Sequence, residues 1–395
     1  MKKIFNSLKK WSVVSVILAF TAISLSGQEA PRMRRRVVSP EIHPDNSVTF
    51  RLFAPNCSEV TISGSWMQGW GAREPLVKND TGLWSLTVGP LQPEIYPYSY
   101  SADGVRLLDP SNVRIMRDGV RYESMLLVPG EQSDLYQVYD VPHGTLSKIW
   151  YDSPTLELKR RMYVYTPPGY ESGSEKYPVF YLLHGGGGDE DAWTTLGRTC
   201  QIIDNLIARG KAKSMIVVMT NGNPGDAAAP GEAPPRKEEE GMGGVFRMGS
   251  GAFEKSLVND VIPFIEKHYR TLPGREHRAV GGLSMGGMQT MNLAFDHTDV
   301  FDYFAVMSMG ITEPRPGRRS WFQDVDEKIK NLQTKGYRLY WIGCGTDDFL
   351  YQGAKNLVAK MEENNLEYTF RETSGGHTWS NWRIYLSEFA PLLFQ

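Results

Sequence analysis

The chain has 395 residues, which is too many for one typical domain and about right for two. Its composition, with 41% hydrophobic and 22% charged residues, is that of an ordinary globular protein. The formal net charge of -2 gives no sign of a nucleic-acid partner. The three cysteines, Cys57, Cys200 and Cys344, are far apart and show no metal-ligand spacing, so we expect neither a disulfide nor a metal site.

The N-terminal segment 1–27 has the features of a secretory signal. Lysines precede an apolar run at 11–25, and the small residues Ser26 and Gly27 follow it. The run is short for a membrane span. We therefore expect cleavage near Gln28, a secreted or periplasmic location and no stable membrane insertion. An uncleaved anchor is the alternative.

The next part of the chain, 40–130, has the pattern of a β-sandwich. Short alternating or apolar segments are separated by turns rich in Gly, Pro and Asn, which is typical of that architecture. The predicted strands are 48–53, 60–63, 83–88 and 96–100. Residues 131–154 are expected to form a linker to the second domain.

The predicted sandwich resembles the immunoglobulin-like N-terminal modules related to family 48 carbohydrate-binding modules. The stretches that carry the resemblance are FRLFAP at 50–55, GSWMQGW at 64–70, GLW at 82–84, YSY at 98–100 and Asp103-Gly104. Some of these modules bind glycans through exposed tryptophans, and others pack on the catalytic domain. Trp66 and Trp70 are the candidates for either role, and we favour packing.

The pattern of residues 155–395 predicts a doubly wound, mostly parallel α/β sheet. Apolar runs typical of buried strands alternate there with segments whose apolar residues recur at helical spacing. The apolar runs are 177–183, 215–219, 278–283, 304–307 and 339–343, and the helical segments include 202–209, 253–269 and 285–295. Between them lies an insert, 221–251, that is rich in Gly, Pro, Ala and Glu. Loops of this length are usually functional or disordered, so an active-site lid and a disordered surface loop are both open.

A Gly-x-Ser-x-Gly sequence at 282–286 joins a predicted strand to a predicted helix. This is the context of a nucleophile elbow, in which Ser284 would be presented on a sharp turn. The glycines allow backbone and helix to approach closely. The first residue of the helix, Met285, would supply a backbone N–H to the developing oxyanion. The motif also arises by chance, so its interpretation depends on the stretches that accompany it.

Two further stretches supply the partners of a Ser-His-Asp triad. His184 and four following glycines come directly after an apolar strand, where α/β-hydrolases place an oxyanion loop; we expect His184 to hold that loop. Asp347 and Asp348 follow a later strand, and His377 lies in a Gly-rich loop after the next. The chain order Ser, Asp, His is the one this fold uses, with His377 as the base. Either aspartate could orient it.

The second domain resembles the esterase D-type α/β-hydrolases, and most closely the feruloyl esterases of carbohydrate esterase family 1. The matching stretches are 181–185, 204–208, 275–280, 282–287, 344–348 and 375–377. The resemblance implies that Asp348 is the triad acid, with Asp347 in reserve. It places the oxyanion donors on Gly186 and Met285. It implies no metal and no organic cofactor.

The resemblance also implies a function. We expect a serine esterase that releases ferulic or related hydroxycinnamic acids from plant cell-wall xylan through an acyl-enzyme. Its partners would be feruloylated or acetylated xylan oligosaccharides. An acetyl xylan esterase, an esterase of enterobactin-like siderophore trilactones and a glycan-binding protein on a hydrolase scaffold are the alternatives. The oligomeric state stays open.

Overall fold

The computed structural model describes residues 37–69, 71–233, 250–312 and 324–395. The expected signal 1–27, Trp70 and the greater part of the insert 221–251 lie outside these ranges. Within them, no helix is both long and apolar enough to cross a membrane. The described residues form an N-terminal pair of antiparallel sheets and a larger, mostly parallel sheet with helices, which confirms the predicted fold class.

The N-terminal part is a sandwich of two antiparallel sheets. Its strands are β1 (Glu41–Ile42), β2 (Val48–Phe53), β3 (Val60–Gly64), β4 (Glu74–Pro75), β5 (Val77–Lys78), β6 (Leu83–Val88), β7 (Ile95–Ala102), β8 (Val105–Leu107), β9 (Ile115–Asp118) and β10 (Arg121–Leu127). One sheet has the order β1-β2-β6-β5, and the other has the order β4-β3-β7-β10-β9 with β8 paired to β7. Successive side chains of a strand point to opposite faces of its sheet. In β2, every second residue (Val48, Phe50 and Leu52) therefore points inward and is buried between the sheets.

Trp66 is partly buried and packs against the core of this sandwich. Its ring stacks on Phe50 with 5.1 Å between the centroids, and it also packs against Tyr98. These partners belong to the sandwich, so the contacts are not the expected packing on the second domain. Trp70 lies outside the described residues.

The larger sheet carries the second domain. Its strands are β11 (Thr145–Ser153), β12 (Leu158–Thr166), β13 (Val179–Leu183), β14 (Ile216–Thr220), β15 (Arg278–Leu283), β16 (Tyr303–Met307), β17 (Leu339–Gly345) and β18 (Thr369–Thr373). Their order is β11-β12-β14-β13-β15-β16-β17-β18. The strands from β14 to β18 in this order run parallel, and β12 is antiparallel to both β11 and β14.

Helices cover both faces of this sheet. They are α1 (Ala192–Thr195), α2 (Thr199–Ala208), α3 (Ala252–Ser256), α4 (Ile262–His268), α5 (Met285–Asp296), α6 (Val325–Lys335), α7 (Tyr351–Glu363) and α8 (Trp379–Phe389). A π-helical turn, Leu257–Val261, joins α3 to α4. Successive side chains of β13 enter different cores: Tyr181 lies in one cluster of buried side chains with Met288 of α5, and Phe180 lies in another, where it contacts Phe389 of α8. Because both faces are covered, these strands read as continuous apolar runs in the sequence.

The structure corrects the predicted linker 131–154. Its second half is β11, which pairs with β12 along nine residues at the edge of the large sheet. An edge strand with one face in solvent does not produce an apolar run, and Trp150 is 42% exposed. The sequence pattern therefore gave no sign of this strand.

The two parts of the chain share a core. Met116 of β9 and Met125 of β10 belong to one cluster of buried side chains with Trp193 of α1. Beside it, the guanidinium of Arg383 in α8 donates to Glu94 at 2.8 Å, and both side chains are buried. The sandwich is consequently fixed to the α/β domain by packing as well as by chain connection.

Candidate active site

Ser284 occupies a strained turn between β15 and α5. Its φ of 53° and ψ of -113° lie outside the regions that residues with a side chain ordinarily adopt. The turn requires glycine on both sides: a Cβ on Gly282 would lie 2.7 Å from the carbonyl carbon of Gly286, and one on Gly286 would lie 2.6 Å from the oxygen of Leu183. The backbone thus holds a partly exposed serine at the carboxyl edge of a central strand, at the N-terminus of a twelve-residue helix.

His377 and Asp348 form a hydrogen-bonded pair at the same edge of the sheet. Asp348 follows β17 and is buried, whereas His377 lies between β18 and α8 and is partly exposed. The Nδ1 atom of His377 is 3.0 Å and 2.9 Å from the two carboxylate oxygens of Asp348. Asp347 is exposed, and its backbone N–H donates to the oxygen of Gly375. Ser284, His377 and Asp348 therefore all lie at the carboxyl edge of the parallel strands, and His377 and Asp348 are in hydrogen-bond contact there.

The environment of Asp348 favours the carboxylate. Burial raises the pKa of this group, but hydrogen bonds from His377, the backbone N–H of Leu350 and the hydroxyl of Ser308 outweigh burial, and the pKa lies below its ordinary value. An ionised Asp348 accepts the Nδ1–H of His377. That hydrogen bond selects the tautomer in which Nε2 is available as a base.

Ser308 and Trp382 support this pair and were not singled out from the sequence. Ser308 follows β16 with a positive φ of 48°, and its oxygen accepts a hydrogen bond from the indole N–H of Trp382 at 2.9 Å. The Trp382 ring meets the His377 ring edge-on, with 5.0 Å between centroids. A lone serine after a strand carries no spacing pattern, so only the assembled sheet reveals the contact with Asp348.

Replacing Ser308 with alanine is expected to lower kcat about tenfold, because a hydrogen bond to a charged group contributes about 1.5–3 kcal/mol. The lost hydroxyl stabilises the ionised carboxylate, so its removal raises the pKa of Asp348. The stability that ionisation of Asp348 contributes is then smaller, and it is lost at a higher pH on acidification. The unfolding free energy as a function of pH measures this shift, because protonation of the base His377 masks it in a rate profile. Ser374→Ala, at an exposed position before His377, is the control, and an unchanged kcat with an unshifted unfolding profile in Ser308→Ala would contradict the assignment.

His184 holds the glycine loop that follows β13. Its Nδ1–H donates to the oxygen of Gly185 at 2.7 Å, and its Nε2 accepts the backbone N–H of Gly222 at 2.7 Å. Burial lowers the pKa of this histidine, which suits a neutral ring with one donor and one acceptor. Both ring nitrogens are occupied, so His184 has no atom free to act as the base.

The glycine loop 185–188 lies against the nucleophile. A Cβ on Gly185 would lie 3.4 Å from the Cβ of Ser284 and 2.5 Å from a methyl carbon of Leu283. Gly186 and Gly187 are exposed at the tip of the loop. Gly185 thus brings the loop close to Ser284, and Met285 is the first residue of α5; the oxyanion roles of Gly186 and Met285 stay predictions.

The beginning of the insert 221–251 is built into the site. Arg160 is buried and donates to the backbone oxygens of Asn221 and Asn223. Gln289 of α5 donates to the oxygen of Gly222 at 2.8 Å. Residues 221–223 are therefore anchored beside the glycine loop. Both predictions for the insert, a lid and a disordered loop, concern chiefly residues that lie outside the described ranges.

Two of the three cysteines are poorly suited to act as nucleophiles. The thiols of Cys57, Cys200 and Cys344 are free. Burial raises the pKa of Cys200 and of Cys344 to about 12, so neither forms the reactive thiolate near neutral pH. Among the described residues, no group of three or more His, Cys, Asp or Glu side chains is placed to hold a metal ion.

Two family models match the chain. The esterase family, described as "Putative esterase", matches residues 153–392, and carbohydrate-binding module 48 (isoamylase N-terminal domain) matches residues 38–115. An endo-1,4-beta-xylanase/feruloyl esterase from Xylanibacter ruminicola is 30% identical over 365 residues, which are 90% of this chain and 46% of the relative. The chain thus spans less than half of that relative's length.

Solved structures resemble the fold. A CE1 ferulic acid esterase from Anaeromyces mucronatus is 28% identical with a TM-score of 0.54, and the match covers 66% of this chain and 95% of that one. Another structure of that enzyme is a complex with ferulic acid. The enterobactin esterase from Shigella flexneri has a TM-score of 0.61 over 88% of this chain and 94% of its own, but only 16% identity. At this identity, the similarity to the enterobactin esterase shows a shared fold and nothing more.

Proposed function

Because the chain belongs to the esterase family, we propose that it is a serine carboxylic-ester hydrolase that releases ferulic or related hydroxycinnamic acids from xylan. The observation that carries the proposal is the strained elbow at Ser284 beside the hydrogen-bonded pair of His377 and Asp348. The relative named as a xylanase/feruloyl esterase and the neighbour solved with ferulic acid support the acyl group.

In the proposed reaction, Nε2 of His377 takes the proton of Ser284 as the serine oxygen attacks the ester carbonyl. The N–H groups of Gly186 and Met285 stabilise the negative oxygen of the tetrahedral intermediate. His377 then gives the proton to the leaving sugar oxygen, the carbon–oxygen bond breaks, and an acyl-enzyme remains. Water attacks this ester as His377 takes one of its protons; His377 then returns that proton to the serine oxygen, the acyl bond to serine breaks, and ferulic acid and free serine result.

Phe349 is placed to meet the leaving group. Its ring lies 4.5 Å from the His377 ring, centroid to centroid, and the side chain is 76% exposed. Since His377 protonates the leaving oxygen, a neighbouring exposed aromatic face is available to the sugar that carries the oxygen. This geometry suits a carbohydrate ester better than a free small ester.

The substrate is tested by comparing oligosaccharides that differ only in the acyl group. We expect kcat/KM for ferulate release from feruloylated arabinoxylan oligosaccharides to exceed that for acetate release from matched acetylated ones by about tenfold or more. Ferulate is followed by its ultraviolet absorbance and acetate by chromatography.

A catecholate trilactone is included as the third substrate, because the enterobactin esterase shares the two-part fold. Faster acetate release would make the chain an acetyl xylan esterase, and faster trilactone opening would make it a siderophore esterase. Binding of xylan oligosaccharides without release of any acid would identify a glycan-binding protein on a hydrolase scaffold.

The domain organisation belongs to the same proposal. We infer that 1–27 is a cleaved signal for a secreted or periplasmic protein, that the sandwich spans about 40–130, and that the hydrolase domain begins with β11 at Thr145. Intact-mass measurement of exported protein tests the cleavage near Gln28. An exported chain that retains residues 1–27 would instead be anchored by them.

A further inference from the structure

A hairpin of the N-terminal sandwich reaches the glycine loop of the hydrolase domain. The hairpin consists of β9, β10 and the turn Gly119-Val120 between them. Its Arg117 donates through Nη1 and Nη2 to the two carboxylate oxygens of Asp189, at 2.7 Å each. Asp189 directly follows the last glycine of the loop 185–188. The contact therefore joins the sandwich to the segment proposed to stabilise the oxyanion.

This ion pair is well enclosed. The side chains of Arg117 and Asp189 are only 12% and 3% exposed. Asp191 lies 3.2 Å from the same guanidinium, and its backbone N–H donates to Asp189 at 2.9 Å. The hydrogen bond to Asp189 raises the pKa of Arg117. A planar, always charged guanidinium with two parallel hydrogen bonds fixes the orientation of its carboxylate as well as its distance.

The hairpin also touches the loop directly. A Cβ on Gly119 would lie 3.1 Å from the backbone oxygen of Gly187, and the φ of Gly119 is 56°. The first end of the loop is held by His184, and the N–H of Gly188 closes it onto the oxygen of Gly185. The second end and the outer face are held by the sandwich. The position of the Gly186 N–H thus depends on both domains.

We propose that Arg117 is a positioning residue for the oxyanion loop, so that the N-terminal sandwich takes part in the chemical step. The inference rests on the proposed serine esterase mechanism. It differs from glycan binding by the sandwich, because it requires an effect on small esters that carry no sugar. Loss of one oxyanion donor typically lowers kcat by about 10²–10³, and a displaced donor is expected to lower it by about tenfold.

The test uses the full chain, 4-nitrophenyl acetate and the variants Arg117→Met and Arg117→Lys. We expect kcat to fall about tenfold in both with KM changed less than about threefold, because an oxyanion donor acts mainly in the transition state. An arylboronic acid, which forms a tetrahedral adduct with the serine, should bind about tenfold more weakly, while ferulate binds as before. Arg121→Met is the matched control, since Arg121 lies on the same hairpin, is 61% exposed and pairs with Glu123 away from the loop.

The outcomes separate the inference from the proposed function. A wild-type chain that fails to hydrolyse 4-nitrophenyl acetate would overturn the esterase mechanism itself. A folded Arg117→Met or Arg117→Lys variant with unchanged kcat and boronate affinity would overturn the positioning role alone. A rise in KM with unchanged kcat would also overturn it, because the hairpin would then serve binding. If the methionine variant does not fold, the lysine variant decides, because it keeps the charge opposite Asp189.

Discussion

Ser284→Ala is expected to lower kcat for methyl ferulate by about 10⁶, because no acyl-enzyme can form without the nucleophile. The remaining turnover would come from the oxyanion donors and from substrate positioning. Ferulate release by the purified variant, followed over days beside an enzyme-free blank, measures the residual rate. Affinity for ferulate should stay within about threefold of the wild type, since the serine oxygen is removed without changing the pocket walls.

The same position reports on backbone strain. Alanine keeps a Cβ at a φ of 53° and a ψ of -113°, whereas glycine adopts such a conformation at low cost. We therefore expect Ser284→Gly to be more stable than Ser284→Ala by about 1–3 kcal/mol, measured by chemical unfolding. If Ser284→Ala and Ser284→Gly release ferulate at nearly the wild-type rate, Ser284 is not the nucleophile.

The elements that the sequence predicted best are those whose environment is uniform, or alternates regularly, along the strand. Strands β13 to β16 are buried on both faces and read as apolar runs without any knowledge of their neighbours. Strand β2 alternates between core and outer face and was predicted at its observed bounds, Val48–Phe53. In both cases the hydrophobic pattern and the tertiary environment carry the same information.

The elements that the sequence did not predict have mixed environments. Strands β9 and β10 expose polar residues at one end and bury Met116 and Met125 against the other domain. Strand β11 is an edge with few buried side chains. The side chains that β9 and β10 bury contact a domain that is distant in sequence, and β11 buries few side chains, so no local apolar pattern marks these strands.

The candidate site shows the same division. Ser284, Asp348 and His377 each follow a predicted strand and have glycines close by in the chain, so a single sequence is enough to identify them. Ser308 and Arg117 do not, because their partners lie 40 or more residues away: Arg117 and Asp189 are separated by 72 positions. Residues that support a site through tertiary contacts therefore need the structure to be identified.

Asp348→Asn is expected to lower kcat by about 10⁴, whereas Asp347→Asn should stay within about threefold of the wild type. An amide at 348 can donate to Nδ1 of His377 and so favours the wrong tautomer, in which Nε2 carries the proton. It also leaves the imidazolium without a countercharge. The exposed Asp347 meets Gly375 through its backbone N–H, which the asparagine variant keeps. Initial rates with methyl ferulate for the two variants give the comparison.

The pH dependence of stability distinguishes a catalytic loss from an unfolded variant. The folded-state pKa of Asp348 is depressed, so the stability that its ionisation contributes is present above the ordinary aspartate pKa and is lost as pH falls through the folded value. The difference in unfolding free energy between wild type and Asp348→Asn should therefore be largest near neutral pH and shrink in acid. If Asp347→Asn instead loses activity by orders of magnitude while Asp348→Asn does not, the acid of the triad is Asp347, and the hydrogen-bonded pair at His377 has only a structural role.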